Sequence, residues 1–139
     1  MFLYQARKLA KAFRLKNLQF LLYDGVTFPS LDKFDVIFSI NVFERIPKQQ
    51  VLKIVDQLIT LLDQNGILKL FFLSESAKGT DFTKLFGGNA YVYWNISELQ
   101  DVFIHNKALS NVEIQEFGEF EKNEFIVTGY LWHNFITCI

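Results

Sequence analysis

The stretch from Phe34 to Leu70 constrains the fold more than any other part of this chain. It opens with a short, mostly apolar run, Asp35–Ile40, and continues through polar residues and an amphipathic segment to a second apolar run that starts at Ile67. A strand that is apolar on both faces, then a helix, then another such strand is typical of a parallel βαβ unit. The sequence therefore predicts an α/β fold. It also predicts a ligand-binding edge at the carboxyl end of the first strand, where open α/β sheets bind their ligands.

The helix of this unit is indicated by its two ends and by its face. Pro47 suits the first helical position, and Gly66 is placed to end the helix in the left-handed conformation. The apolar residues that recur at helical spacing are Val51, Val55, Leu58 and Leu62. So broad an apolar stripe predicts a helix that lies on a sheet.

Before this unit, residues 2–15 predict a helix and Leu18–Tyr23 predicts a strand, which ends in a turn at Asp24 and Gly25. The helix carries basic residues and no acidic ones: Arg7, Lys8, Lys11, Arg14 and Lys16 follow one another within or just after it. An acid-free amphipathic start is also found in transit peptides, but those are usually rich in Ser, and this segment has none. We therefore interpret it as a surface helix with a solvated basic face.

After the unit, residues 74–93 predict an irregular connection because glycines recur there. Ser97 and Gln100 match a capping box, which predicts a helix that starts at Ser97. Asn111–Phe120 and Glu124–Trp132 predict two strands whose short link requires antiparallel pairing. The expected architecture is one domain over residues 1–139, with a mostly parallel sheet that ends in an antiparallel hairpin.

Composition excludes several classes of protein. Half of the 139 residues are apolar and sixteen are Phe, which favours a dense core. The formal net charge of −1 gives no electrostatic reason to expect nucleic acid, and no apolar run approaches the roughly 20 residues of a membrane span. Cys138 is the single cysteine, so no disulfide can form within the chain, and a cytoplasmic location is expected.

Several segments together resemble one family. Residues 34–44 resemble the fourth-strand motif of class I S-adenosylmethionine-dependent methyltransferases, and residues 61–68 resemble the helix end and fifth strand that follow it. Residues 20–25 are similar to the third strand and its turn, and residues 96–112 to the later helix and sixth strand. The resemblance implies a Rossmann-like sheet, S-adenosylmethionine as cofactor and methyl transfer to a small-molecule or other acceptor.

The chain also departs from the family. No Gly-x-Gly occurs in it, so the glycine-rich loop that holds the methionine and ribose portions of the cofactor is absent, as are the first two strands. In the family order 3-2-1-4-5-7-6, their loss would leave the third and fourth strands roughly 14 Å apart. We expect the chain to be the carboxyl-terminal two thirds of a longer methyltransferase. The alternatives are a non-catalytic α/β module that pairs with a partner through its incomplete sheet edge, and an inactive truncated fragment.

The resemblance implies where the cofactor would lie. Asp24 would accept a hydrogen bond from the exocyclic amine of the adenine, and Gly25 would let the backbone approach closely. The residues that would line the cofactor at the end of the fourth strand are Ser39, Ile40, Asn41 and Val42. The alternatives are an ordinary Asp-Gly turn and simple termination of a strand.

Arg45 occupies a position where many relatives have His, one step after Glu44. Arginine cannot act as a general base, because its pKa exceeds about 12. It would instead hold an anionic group of the substrate in a bidentate pair, or it forms a salt bridge with Glu44 or lies as a surface charge. The catalytic residue is therefore not identified.

Two further sets of residues, three aromatic residues and two histidines, are candidates for a site. Tyr91, Tyr93 and Trp94 would form either part of a substrate wall or plain core. His105, expected within the later helix, and His133 lie in no spacing typical of metal ligands, so no metal is assigned.

Overall fold

The structure, a computed structural model, describes residues 2–29, 32–79, 90–119 and 122–131. The chain divides into two compact units, residues 1–31 and residues 32–139. That these form one domain stays a prediction. In the part of the chain that the structure describes, no helix is long and apolar enough to cross a bilayer.

The first unit contains one helix, α1, over Phe2–Ala12. The predicted helix was three residues too long, because the backbone turns at Arg14, where φ is 55°. The Leu15 amide donates to Ala10 O over 2.9 Å and the Arg14 amide to Lys11 O over 3.1 Å. This pair of hydrogen bonds closes a Schellman motif, with Arg14 at the left-handed position that glycine usually occupies.

The strand predicted at Leu18–Tyr23 is wrong: these residues form no strand. A strand exists only where a neighbour completes its hydrogen bonds, and the described part of the first unit contains no such neighbour. The turn after it is confirmed. Asp24 Oδ1 accepts hydrogen bonds from the amides of Val26, over 2.8 Å, and Thr27, over 3.0 Å, while Gly25 has a φ of 83°.

The second unit is a four-stranded sheet with helices. Its strands are β1 (Phe34–Ser39), β2 (Leu62–Leu73), β3 (Leu109–Glu119) and β4 (Lys122–Leu131). They lie in the order β1-β2-β4-β3, with β1 and β2 parallel and the other two pairs antiparallel. This arrangement confirms the predicted sheet and its hairpin, and the order corresponds to the 4-5-7-6 half of the family order.

Within the described residues of the second unit, two α-helices lie between these strands. Helix α2 spans Lys48–Leu61 and connects β1 to β2, and helix α3 spans Ile96–Phe103 and precedes β3. The side chains that α2 buries are Val51, Ile54, Val55, Leu58, Ile59 and Leu61. Most of the predicted stripe is therefore buried by α2 and contributes to the core, whereas Leu62, which was predicted on the helix, is the first residue of β2.

Phe72 of β2 is the centre of an aromatic cluster in the core. Its ring lies 5.2 Å from those of Phe43 and Trp94 and 5.7 Å from that of Phe103, measured between centroids. All four residues are at most 2% exposed. The cluster joins β2 to the segments that follow β1 and precede α3.

The ends of both helices differ from the prediction. Helix α2 stops at Leu61, and Asn65, not Gly66, has the left-handed backbone, with a φ of 65°. Gly66 serves a different purpose: a Cβ there would lie 2.9 Å from Asp63 O and 3.0 Å from Phe34 O. The residue is glycine because β1 and β2 approach closely at this point, where their register is irregular.

The capping box of α3 begins two residues earlier than predicted. Asn95 Oδ1 accepts from the Glu98 amide over 2.9 Å, and Glu98 Oε2 accepts from the Asn95 amide over 3.0 Å. The prediction of Ser97 and Gln100 was wrong. Asn is as good an N-cap residue as Ser, so the capping-box pattern fits both Asn95 with Glu98 and Ser97 with Gln100. At the other helix, Pro47 is the N-cap and not the first helical residue of α2.

Candidate functional site

The carboxyl ends of β1 and β2 form one edge of the sheet. The strands are parallel, with Ser39 opposite Leu70, so the segments that leave them emerge on the same side. After β1 the backbone turns at Asn41, where φ is 57°, into a 3-10 turn over Phe43–Arg45. After β2 it enters a second 3-10 turn, over Glu75–Ala77. Open α/β sheets bind ligands at such an edge.

A third segment, just before α3, ties these two turns together. The Val92 amide donates to Glu44 O over 2.7 Å, and the Trp94 amide donates to Leu73 O over 2.8 Å. The Glu75 amide in turn donates to Trp94 O over 3.0 Å. The edge is therefore a connected structure of three chain segments.

The predicted cofactor residues Ser39–Val42 lie at this edge. Ile40 and Val42 are both about half exposed. Ser39 Oγ is buried and makes no hydrogen bond within the described residues. A buried hydroxyl without a partner costs free energy, and a ligand that supplies a donor or acceptor removes that cost. The unpaired Ser39 hydroxyl therefore makes the carboxyl end of β1 suitable for a polar ligand.

The other predicted cofactor residues belong to the first unit. Asp24 is exposed, and hydrogen bonds from the amides of Thr27 and Val26 lower the pKa of its carboxyl group. The group is therefore a carboxylate at neutral pH, as an acceptor for an amine donor must be. Its Oδ1 already caps the Asp24 turn, so Oδ2 is the oxygen that remains to meet a ligand.

Arg45 and two tyrosines form a cationic and aromatic surface at the sheet edge. The Arg45 guanidinium carbon lies 4.5 Å from the centroid of the Tyr91 ring, and the Tyr91 and Tyr93 rings meet edge to face at 6.4 Å. Arg45 is exposed and both tyrosines are half-buried, whereas Trp94 belongs to the core. The two tyrosines remain candidates for a substrate wall, and the alternative ion pair between Arg45 and Glu44 stays a prediction.

Sequence reasoning missed a polar cluster at the end of β2. Ser74 Oγ donates to Glu116 Oε1 over 2.6 Å, and Ser76 Oγ donates to the same oxygen. These hydrogen bonds, with that from Ser74 the stronger influence, lower the pKa of Glu116. The two serines come directly after a predicted strand, and polar residues at that position are a sequence signal for a site at the edge of the sheet. Nothing in the sequence joins them to a glutamate forty residues away on β3.

The histidines are not part of this edge as far as they are described. His105 is exposed and follows the end of α3 at Phe103, so its predicted place within the helix was wrong. His133 lies outside the described residues. No three His, Cys, Asp or Glu side chains come together as metal ligands within the described ranges.

Comparison by structure finds methyltransferases, although no protein-family profile and no curated protein matches the sequence. Magnesium protoporphyrin IX methyltransferase from Synechocystis PCC 6803, solved with bound S-adenosylhomocysteine, superposes with a TM-score of 0.69 at 16% identity, over 93% of this chain and 59% of that one. The S-adenosylmethionine-dependent methyltransferase SibL gives 0.70 at 13% identity, over 93% and 40%. The N-methyltransferase NodS from Bradyrhizobium japonicum WM9 gives 0.65 at 16% identity, over 93% and 62%.

The fold is therefore that of the class I S-adenosylmethionine-dependent methyltransferases. The chain spans between 40% and 62% of the length of these three structures. At such identities the likeness establishes the fold alone.

Proposed function

We propose that this chain is the carboxyl-terminal part of a longer S-adenosylmethionine-dependent methyltransferase and contributes the adenosine side of the cofactor site. The observation that carries the proposal is the unpartnered, buried Ser39 Oγ at the carboxyl end of β1, within the methyltransferase fold. Ser39, Ile40, Asn41 and Val42 would contact the cofactor there. Asp24 would accept a hydrogen bond from the exocyclic amine of the adenine, and Gly25 would let the backbone approach closely.

The cofactor supplies an activated methyl group on a positively charged sulfur, and the protein contributes mainly alignment. Arg45 would orient an acceptor that carries an anionic group, because its exposed guanidinium matches a carboxylate or phosphate in geometry. Its stacking on Tyr91 limits the conformations of the side chain and so reduces the entropy lost on binding. The acceptor itself is not identified by these residues. The expected cytoplasmic location stays a prediction.

Because the glycine-rich half is absent from this sequence, we expect no binding of S-adenosylmethionine tighter than about millimolar. Such weak binding is measurable through amide chemical shifts in NMR spectra. Adenosine should shift the amides of residues 24–27 and 39–42 as S-adenosylmethionine does, whereas methionine should leave them in place. Methionine is the matched control because its site belongs to the missing half.

The Asp24→Asn variant should lose the shifts at residues 24–27, because the neutral amide keeps the turn but not the charge. Asp56→Asn is its control, since Asp56 is an exposed residue on α2. Equal effects of adenosine and methionine, or shifts confined to other residues, would refute the proposal. Micromolar binding by this chain alone would refute the claim that half of the site is missing.

The second candidate function is a non-catalytic module that pairs through β1. Along this strand Val36 is 55% exposed and Phe38 67% exposed, and no described residue pairs with its outer edge. Exposed apolar strands of this kind recruit further strands. The occupant to which we commit is a separate polypeptide that carries a glycine-rich methyltransferase half, whose sheet this chain would complete without adding a catalytic residue.

This second candidate function is tested by mixing the two polypeptides and measuring by sedimentation whether they form a complex. A complex that Phe38→Lys abolishes, but Lys53→Glu on α2 does not, would support the module. Self-association of the chain alone, or no complex, would count against it.

A further inference from the structure

The cluster of Ser74, Ser76 and Glu116 is a built site that the proposed function does not use. Ser74 is 1% exposed, and its hydroxyl lies 2.6 Å from Glu116 Oε1 and 2.6 Å from Ser76 Oγ. The Ser76 amide also donates to Ser74 Oγ over 3.2 Å. The position of the carboxylate is therefore determined by a buried side chain and by the 3-10 turn that follows β2.

The two carboxylate oxygens of Glu116 differ in the number of hydrogen bonds that they accept. Both serine hydroxyls meet Oε1, while Oε2 accepts no hydrogen bond from any residue that the structure describes. Glu116 is an exposed residue. A carboxylate that is held through one oxygen and accessible at the other is arranged to meet a donor from outside the chain.

The ionisation of the Glu116 carboxyl group indicates what kind of hydrogen-bond donor it would bind. Hydrogen bonds from Ser74 and Ser76 stabilise the ionised form and lower the pKa of Glu116. The group is thus a poor proton acceptor at neutral pH and a good partner for positive charge. A neutral hydroxyl acceptor would need a base, whereas an amine that is methylated becomes positively charged.

The cluster lies at the same edge as the proposed cofactor contacts without being one of them. Ser39 is level with Leu70, and β2 continues to Leu73 before it reaches Ser74. At about 3.3 Å for each residue and 4.8 Å between strands, Ser74 stands roughly 10 to 15 Å from Ser39. That separation leaves room for part of the cofactor and for a small acceptor between them.

We propose that Glu116, fixed by Ser74 and Ser76, binds the nitrogen of an amine acceptor, so that the methyl acceptor of this site is a nitrogen. The inference rests on the proposed function. In the transfer step the nitrogen lone pair forms the new bond to the methyl carbon, while the bond from that carbon to sulfur breaks and its electron pair stays on sulfur. The positive charge moves from sulfur to nitrogen, where the Glu116 carboxylate stabilises it. The ammonium that arrives from solution loses its proton to water before the step, and the product leaves as a methylated ammonium ion.

Benzylammonium is a suitable probe because it carries at neutral pH the charge that develops on the acceptor nitrogen. NMR spectra of the full chain with ¹³C-labelled glutamate report on each side-chain carboxyl group. Benzylammonium should shift the Glu116 carboxyl and Ser76 amide signals, and benzyl alcohol, its neutral analogue, should not. Glu116→Gln should weaken the binding by roughly tenfold or more, as loss of a charge-assisted hydrogen bond does.

Two variants separate charge from structure. Glu113→Gln changes an exposed carboxylate on the same strand and should leave binding unchanged. Ser76→Ala should raise the pKa of Glu116 yet keep binding at pH 7 within about twofold, because the carboxylate stays ionised. If Glu116→Gln does not fold, the unaltered chain still tests the proposal: binding must decrease with falling pH in step with the titration of the Glu116 carboxyl signal.

Equal effects of benzylammonium and benzyl alcohol would overturn the inference, as would an equal loss of binding in Glu113→Gln or binding that does not follow the Glu116 titration. The adenosine experiment above is independent of this result. Amide shifts with adenosine but no response at Glu116 would refute only the nitrogen acceptor. Absence of the adenosine shifts would refute the proposed function itself.

Discussion

The guanidinium carbon of Arg45 lies 4.5 Å from the centre of the Tyr91 ring, although Arg45 follows β1 and Tyr91 precedes α3. A cation over an aromatic face at an exposed site contributes about 0.5–1 kcal/mol. We therefore expect a double-mutant cycle of Arg45→Ala and Tyr91→Ala, followed by urea unfolding, to give a coupling free energy in that range. Tyr91→Phe should retain most of it, since the ring provides the attraction. A coupling indistinguishable from zero would contradict the contact.

Substitution of Gly66 should destabilise the fold because of packing and not because of backbone strain. A Cβ there would lie 2.9 Å from Asp63 O and 3.0 Å from Phe34 O, both backbone atoms that cannot rotate away. Gly66→Ala should lower the free energy of unfolding by about 1–3 kcal/mol. The control is Asn65→Gly, at a φ of 65°, which should cost less than about 1 kcal/mol because glycine adopts that conformation freely. An Ala variant as stable as the parent would refute the close approach.

Two serines with buried hydroxyl groups should respond in opposite ways to the loss of the hydroxyl. Ser39 Oγ has no hydrogen-bond partner among the described residues, so Ser39→Ala should leave the melting temperature unchanged or raise it. Ser74 Oγ bonds to Glu116 and to the amide of Ser76, so Ser74→Ala should cost about 1–3 kcal/mol. Thermal unfolding of both variants checks the pair. Destabilisation of the Ser39 variant comparable to that of the Ser74 variant would show that the Ser39 hydroxyl is already satisfied in the free chain.

The ion pair between Lys48 and Glu98 should make stability depend on pH. The atoms Lys48 Nζ and Glu98 Oε1 are 2.6 Å apart. Burial tends to raise the pKa of Glu98, but the hydrogen bonds from Lys48 and from the Asn95 amide outweigh it, and the pKa is lowered from its ordinary 4.5. Ionised Glu98 therefore stabilises the fold at pH values above its unfolded pKa, and this contribution is lost as the pH falls through the lower folded pKa.

Lys48→Met should reduce that pH dependence and cost about 0.2–1 kcal/mol at pH 7, because the pair is partly exposed. Urea unfolding at pH values from 7 to about 3 measures both effects. The control is Lys53→Met on the same helix, since Lys53 is exposed and forms no salt bridge with the described residues. A Lys48 variant with the same pH profile as the parent would mean that the pair is not formed in solution.

Elements with strong periodicity were predicted well, and element ends were not. The stripe of α2 depends on many residues of one segment, and the antiparallel pairing of β3 with β4 follows from their short link, so both could be inferred from the sequence. The strand expected at Leu18–Tyr23 failed because a strand depends on a neighbour that its own residues do not supply. At Asn95 two overlapping capping patterns were equivalent by sequence, and only the geometry of Glu98 distinguishes them.

By itself the sequence determined the βαβ unit and the antiparallel hairpin, because hydrophobic period and connection length are local properties of a chain. The resemblance to methyltransferases rested on the motifs of particular segments and their order. Only the tertiary structure decided that Ser74 and Glu116 meet and that Arg45 stacks on Tyr91. It alone left the hydroxyl of Ser39 buried without a partner among the described residues. Such relations join residues far apart in the chain or depend on what surrounds one atom. They follow from the order β1-β2-β4-β3 and from the packing of the loops on that sheet, which no local pattern encodes.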